Sequence, residues 1–433
     1  MNTHSKSSLK ALIPFLVFIF IFLGAGIYYN DFYALPSPIA ILFGIVVAFI
    51  MLKGTMQEKT STFLEGCGDR NILTMCIIYL LAGAFASLSQ SIGSVDAVVQ
   101  LGLDTLSPAY YPAGIFIVAS FLSIASGTSV GTIVALGPIA VGLADAGGCD
   151  INIIGAALLG GAMFGDNLSM ISDTTIAATQ IMGCEMKDKF KTNFGFVLPA
   201  AILAVVFYLL AGTSSEDAVS VSKSFDFEKM LLILPYLAVI VLAFLGMDVF
   251  VVLILGIVLS ALFGFVLQDL SFLKFGKTVY EGFTSMTEIF LLSLLTGGLA
   301  ALVEKAGGIE ALLGWIKKRI SGPKSALLGI GGFVGLTDAA TANNTISIVI
   351  TGKVSKKITT EYGIKSRAGA SILDTFSCIV QGLIPYGAQI LILTSYSKNT
   401  ISYPSLLQHS YYLFLLLIAV ICYIFFGKIT DKK

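Results

Sequence analysis

The sequence predicts an all-α polytopic membrane protein made of two inverted-topology repeats, each with five membrane crossings (one a broken helix) and one re-entrant hairpin. Three observations lead there. Charged residues make up only 12% of the 433 and hydrophobic residues 56%, with a mean hydropathy of +0.91, whereas a soluble domain carries about a quarter charged residues. Lys and Arg fall overwhelmingly on one side of the apolar runs. Polar clusters interrupt the apolar runs in the same order in both halves.

The composition excludes a soluble enzyme, a disordered chain and a secreted disulfide scaffold, and disfavours an outer-membrane barrel, whose strands alternate polar and apolar residues. The 26 basic residues balance 26 acidic ones, so no nucleic-acid surface is expected. The cysteines Cys67, Cys76, Cys149, Cys184, Cys378 and Cys422 form no CxxC and lie in or beside apolar runs, as packing residues do. His4 and His409 cannot build a His-based metal site.

The first apolar run, 11–29, is too long for a signal-peptide core and reads as a retained span. Further spans fall at 37–52, 71–92, 193–212, 229–246, 249–267, 286–304 and 408–427. The runs at 109–145, 151–182, 325–352 and 368–396 are interrupted. With the N-terminus inside and 109–145 and 325–352 as hairpins that enter and return, 21 of the 26 Lys and Arg lie inside. Lys223, Lys229, Lys274, Lys277 and Lys398 lie outside. Making 109–145 a full crossing would move Lys187, Lys189 and Lys191 across, with every later loop. The expected organisation is a first repeat over 1–212, an extracytoplasmic linker over 213–228 and a second repeat over 229–433, in the cell (plasma or inner) membrane with both termini cytoplasmic. This topology leaves no Lys or Arg inside the membrane. Glu288 and Glu304, near span ends, read as solvated.

The halves match in sequence. Ser87-Leu88…Asp96-Ala97 resembles Ala301-Leu302…Glu310-Ala311 at an offset of 214. Gly161–Ile171 resembles Gly369–Ile379 at an offset of 208, with five of eleven positions identical. Five crossings per half is an odd number, so the copies run in opposite directions.

The interruptions carry the chemistry, because broken backbone at membrane depth survives only where it is buried or wet. Hairpin one breaks at Ser126–Thr132, including Thr128 and Ser129, and broken span one holds Asp166, Asn167, Ser169, Ser172, Asp173 and Thr174. Hairpin two breaks at Thr337–Thr345, with Asp338, Thr341, Asn343, Asn344 and Thr345, and broken span two holds Asp374, Thr375, Ser377 and Tyr386. Carboxylates, amides, hydroxyls and freed carbonyls are oxygen ligands for a small hard cation. Na⁺ at Asp166 and Asp173 is the expected occupancy of the first set; the second set reads as a substrate or ion site. Asp338 reads equally as a ligand or as a half-helix cap, and Asp374 as a ligand or as a bridge to the hairpin. A buried carboxylate exchanges a proton for a cation, which is the minimum an antiporter needs.

Gly165-Asp166-Asn167-Leu168-Ser169…Ile171-Ser172-Asp173-Thr174-Thr175 closely resembles the GDNLSPISDTT signature of the NhaC family of Na⁺/H⁺ antiporters, with Met170 where that family usually has Pro. Ser126-Gly127-Thr128-Ser129 resembles its hairpin, and Ile384-Pro385-Tyr386-Gly387 its IPWG-like segment. The resemblance covers about residues 70–400. It implies the ion-transporter superfamily fold, a homodimer with elevator-like motion in a lipid bilayer, and Na⁺ and H⁺ as coupling ions with no cofactor. The leading expectation is Na⁺/H⁺ antiport by alternating access. The alternative is Na⁺- or H⁺-coupled transport of a small organic anion or amino acid, malate–lactate exchange included. A channel and an intramembrane aspartyl protease using Asp166 and Asp374 are remoter, the latter because Met163 breaks the GxGD pattern such enzymes resemble.

Overall fold

The protein is seen here as a computed structural model, which describes residues 9–29, 34–97, 99, 107–169, 172–212, 227–245 and 247–430. Met170 and most of the 213–228 linker lie outside them. The described residues form helices and no strand; Ile364 and Thr430 make one isolated bridge. Eight of the helices are long and apolar enough to cross a membrane. Continuous helix is what such sequences adopt where water cannot satisfy the backbone, since every interior N–H and C=O pairs within its own segment.

The element boundaries repeat. The first half runs α1 (Ile13–Tyr29), α2 (Ser37–Met51), α3 (Met56–Cys67), α4 (Arg70–Ser91), α5 (Tyr111–Ser126), α6 (Ser129–Gly147), α7 (Ile151–Leu168), α8 (Asp173–Met182) and α9 (Met186–Ala211). The second runs α10 (Phe227–Phe244), α11 (Val249–Leu267), α12 (Phe272–Ser285), α13 (Thr287–Lys305), α14 (Gly308–Lys317), α15 (Pro323–Thr341), α16 (Asn344–Glu361), α17 (Ser366–Leu383), α18 (Ala388–Tyr396), α19 (Tyr403–His409) and α20 (Tyr411–Phe426). Helices α6, α7 and α8 begin at Ser129, Ile151 and Asp173; α16, α17 and α18 begin at Asn344, Ser366 and Ala388, each 215 residues later. Turn chemistry repeats too. Thr128 and Asn343 both cap the following helix by accepting from the N–H three residues on. Gly93 and Gly307 both take the left-handed conformation, at φ 77° and 78°.

Packing repeats in the same way. Gly66 of α3 lies against the backbone of Gly297 in α13, and Gly282 of α12 against that of Gly83 in α4; a Cβ at any of the four would strike the facing helix. Each half therefore lends its amphipathic helix to the other. Helix α5 packs against α7 as α15 packs against α17, and α8 against α16 as α18 against α6.

The 214 offset agrees with this register through the paired glycines. The 208 offset does not. It is seven residues, two helical turns, short of the 215 that the helices follow. A two-turn slip keeps the same helix face, which is why small and polar residues still matched. The counterpart of Asp166 in the second half is thus Gln381, and Asp374 lies two turns before it on the same helix.

The broken segments sit at the centre. Within the most apolar window of 151–182, 94% is buried, and within that of 366–396, 78%, against 33% for the first span. At the periphery, Glu288 is not simply solvated. Its Oε1 accepts from the Ser37 amide (2.8 Å) and hydroxyl (2.9 Å), holding the start of α2.

Candidate functional site

Gly165 lets hairpin one close on the signature segment. A Cβ there would meet Ser123 Cβ and the Ile124 amide, so only glycine allows α5 this near α7. Helix α5 ends at Ser126, and Gly127, φ 71°, a residue without Cβ, carries the left-handed turn that follows. Helix α7 ends at Leu168; Ser169 is extended and its hydroxyl donates to Ile124 O (2.8 Å). Ser172, also extended, starts α8, which places Asp173 in its first turn where a carboxylate suits the helix dipole.

This geometry delivers two hydroxyls to one carboxylate. Ser129 Oγ donates to Asp166 Oδ2 (2.7 Å) and Ser172 Oγ to Oδ1 (2.6 Å). Ser172 also pairs with Thr174 Oγ1 (2.7 Å). Asp166 is buried, and no ion pair to it occurs among the described residues. It opens on a cavity of about 520 Å³ between the two hairpin tips. Thr128, Ser129, Asp173, Thr174, Asn343, Asn344 and Thr345 line the same cavity, with Thr74, Tyr79 and Gln389, and among the described residues no Lys or Arg does. Asp173 is exposed and faces the same cavity.

Asn167 turns away from this set. Its Nδ2 donates to Asp374 Oδ2 (2.8 Å) and Thr375 Oγ1 (3.2 Å). The same Asp374 oxygen lies 2.6 Å from Lys189 Nζ, with the two side chains 0% and 1% exposed. Lys189 also donates to Asn167 O (2.6 Å) and Thr175 Oγ1 (2.7 Å). Asn193 Nδ2 reaches Asn167 Oδ1 (3.0 Å) and Asp374 Oδ2 (3.3 Å). A basic side chain, Lys189, is thus buried inside the protein. The stretch holding Lys187, Lys189 and Lys191 reads as a cytoplasmic loop, but it forms the start of α9, and Lys189 and Asn193 extend that helix's buried stripe through Phe196, Val197, Ala200 and Ala204. A buried charge demands a partner, and Asp374 supplies it.

The remaining second-half residues separate. Asp338 is fully buried, and neither of its carboxyl oxygens has a hydrogen-bond partner among the described residues, where it caps nothing. Thr341 Oγ1 donates to Thr337 O (3.0 Å), and Ser377 Oγ to Asp374 O (2.9 Å), each within its own helix. Tyr386 donates to Ala339 O (2.7 Å) and packs edge-on against Phe18 and Phe22, away from the cavity. Ser126 ends α5; its side chain lies outside the described residues.

Two amides complete the centre. Gln389 Nε2 donates to Ser129 Oγ (3.1 Å), and Gln381 Nε2 to Gln389 Oε1 (2.8 Å) and Ala342 O (3.3 Å). A directional chain of donors thus runs from Gln381 through Gln389 and Ser129 to Asp166, with Gln381 also donating to the backbone at Ala342. Gln389, the one polar residue between Ala388 and Leu393, carried a signal in the sequence that its apolar setting hid.

The sequence model of the Na⁺/H⁺ antiporter family matches residues 6–213 and 219–428. A malate-2H⁺/Na⁺-lactate antiporter of Bacillus subtilis is 22% identical over 410 residues, 87% of each chain. The Na⁺/H⁺ antiporter NhaC of Alkalihalophilus pseudofirmus is 24% identical over 342 residues, covering 72% of this chain and 73% of its own. An arginine/ornithine antiporter, ArcD of Halobacterium salinarum, is 21% identical over 418 residues, covering 89% and 85%. With the family match running over nearly its whole length, this multi-span membrane chain belongs to the Na⁺/H⁺ antiporter family.

Proposed function

We propose that the chain is a Na⁺-coupled secondary transporter of the plasma membrane that exchanges Na⁺ for H⁺ at Asp166 by alternating access, with its halves inserted in opposite orientations and both termini cytoplasmic. The observation that carries this reading is the Asp166 carboxylate, buried, held by two hydroxyls and open to a cavity lined by acidic and neutral side chains. Protonated, it needs no counter-ion. Ionised, it needs a cation, and the Ser129, Ser172 and Thr174 hydroxyls supply neutral oxygens around it. One group thus alternates between two cargoes that exclude each other. The reciprocal packing of the halves and the fold-back of α5 on α6 and α15 on α16 support hairpins at 109–145 and 325–352 in a rocking or elevator-like carrier.

The cavity favours a second reading. A volume of about 520 Å³ far exceeds a bare ion, since a water molecule's share of the liquid is about 30 Å³. Asn343, Asn344 and Thr345 line its second-half side. An organic solute coupled to the same ions fits there, as in the malate–lactate and arginine/ornithine relatives. Proteoliposomes with imposed Na⁺ and pH gradients and a panel of organic acids and amino acids separate the two. Na⁺-driven proton movement without solute supports antiport alone. Movement only with one solute supports the second reading, and neither movement refutes both.

A further inference from the structure

Asp166 and Gln381 occupy the same place in the two halves. Each lies two residues before its helix ends, at Leu168 and Leu383, and the next helix starts at Asp173 or Ala388, again 215 residues apart. The environments differ in one respect. The hydroxyls that serve Asp166 come from Ser129 and Ser172; their counterparts 215 residues on are Asn344 and Gly387, and neither serves Gln381. Instead, the Gln381 amide nitrogen points at two oxygens, Gln389 Oε1 at 2.8 Å and Ala342 O at 3.3 Å. Its own Oε1 is buried without a partner among the described residues.

We infer that the second half contains a neutral copy of the cation site, in which the Gln381 amide nitrogen takes the cation's position between Gln389 Oε1 and the Ala342 carbonyl, so that Gln381 sets how many monovalent cations the protein carries. An NH₂ group and a small cation satisfy the same oxygens; the amide does so permanently, because it is part of the chain. Replacing NH₂ by a carboxylate oxygen brings several acceptors together with no donor among them. Only a proton, a cation or a turned Gln389 amide relieves that arrangement, and the first two are exchangeable. Burial makes the demand strong, since Gln381 and Gln389 are each 2% exposed. The Lys189–Asp374 pair repeats the device elsewhere: a second buried carboxylate is satisfied by a tethered cation.

The inference rests on Asp166 being the exchange site, and its test separates the two. Full-length protein in proteoliposomes and in detergent is titrated with NaCl at constant ionic strength, for the wild type, Asp166→Asn, Gln381→Glu and Asp166→Asn/Gln381→Glu. The Hill coefficient of Na⁺-dependent flux should rise by about one in Gln381→Glu. Na⁺-dependent thermal stabilisation should vanish in Asp166→Asn and return in the double variant, its carboxylate now in the second half. An unchanged Hill coefficient in a folded, monodisperse Gln381→Glu, or no return of Na⁺ stabilisation in the folded double variant, overturns the inference. Wild-type Na⁺ dependence in Asp166→Asn refutes the reading of Asp166, and the Gln381→Glu Hill coefficient still decides the inference. If Gln381→Glu fails to fold, the shorter Gln381→Asp is held to the same criterion.

Discussion

Replacing Lys189 by Met keeps the aliphatic stem and removes the ammonium. The pair it breaks is fully buried and short, 2.6 Å. Removing one partner of such a pair costs about 3–5 kcal/mol, because a charge is left uncompensated. Here the lower end applies. The stranded Asp374 carboxylate keeps the Asn167 donor at 2.8 Å and the weaker Asn193 donor at 3.3 Å. Lys189→Met should therefore lose about 3 kcal/mol. Asp374→Leu should lose a similar amount, since it leaves the ammonium with only Asn167 O and Thr175 Oγ1. The double variant should recover most of either loss, ending about 1 kcal/mol or less below the wild type and so with a coupling energy of about 5 kcal/mol, because two apolar groups of similar volume replace a pair whose attraction was largely offset by desolvation. Denaturant unfolding in mixed micelles measures all four corners of the cycle. Neither residue lines the cavity, so the double variant should also keep Na⁺-dependent transport. Single variants that lose less than about 1 kcal/mol, or losses that simply add, would refute a structural ion pair.

Other perturbations follow from the site. Asp173→Asn should weaken apparent Na⁺ affinity only a few-fold, because a carboxylate exposed to a wet cavity contributes about 1 kcal/mol or less; Na⁺ titration of transport shows whether the loss is that small. Gly127→Ala should destabilise by about 1–2 kcal/mol, and Ala342→Gly, which relieves a left-handed alanine at the matching hairpin tip (φ 49°), should stabilise by about 1 kcal/mol; melting curves give both signs. Gly165→Ala forces α5 away from α7 and should abolish Na⁺-dependent stabilisation while the protein still inserts and remains helical by circular dichroism.

Much of this architecture could be read in the sequence, because apolar run length and interrupting polar clusters obey local rules. The helix breaks after Leu168 and Leu383 and the turns at Gly127 and Ala342 fall inside the polar clusters that marked them. The register between the halves was harder to read. An eleven-residue match of small and polar residues survives a two-turn slip, and only the full set of helix ends fixes the offset. Lys189 was hidden for a different reason. It lies in a charged stretch that resembles a loop, and its partner comes from the other half; the clue was its four-residue spacing from Asn193 at the head of an apolar stripe. Gln381 and Gln389 act through a contact between a broken helix and a hairpin tip, which no local pattern announces.

The central claim is that H⁺ and Na⁺ compete for Asp166, and Na⁺ binding measured by calorimetry across pH tests it most directly. The protonated carboxyl has lost the charge that holds the ion, so each Na⁺ bound displaces one proton below the site's own pKa. The apparent Kd should then fall about tenfold per pH unit as pH rises, level off above that pKa, and show no such dependence in Asp166→Asn because binding itself is gone. A wild-type Na⁺ affinity that ignores pH, or one that Asp166→Asn leaves intact, would contradict the account.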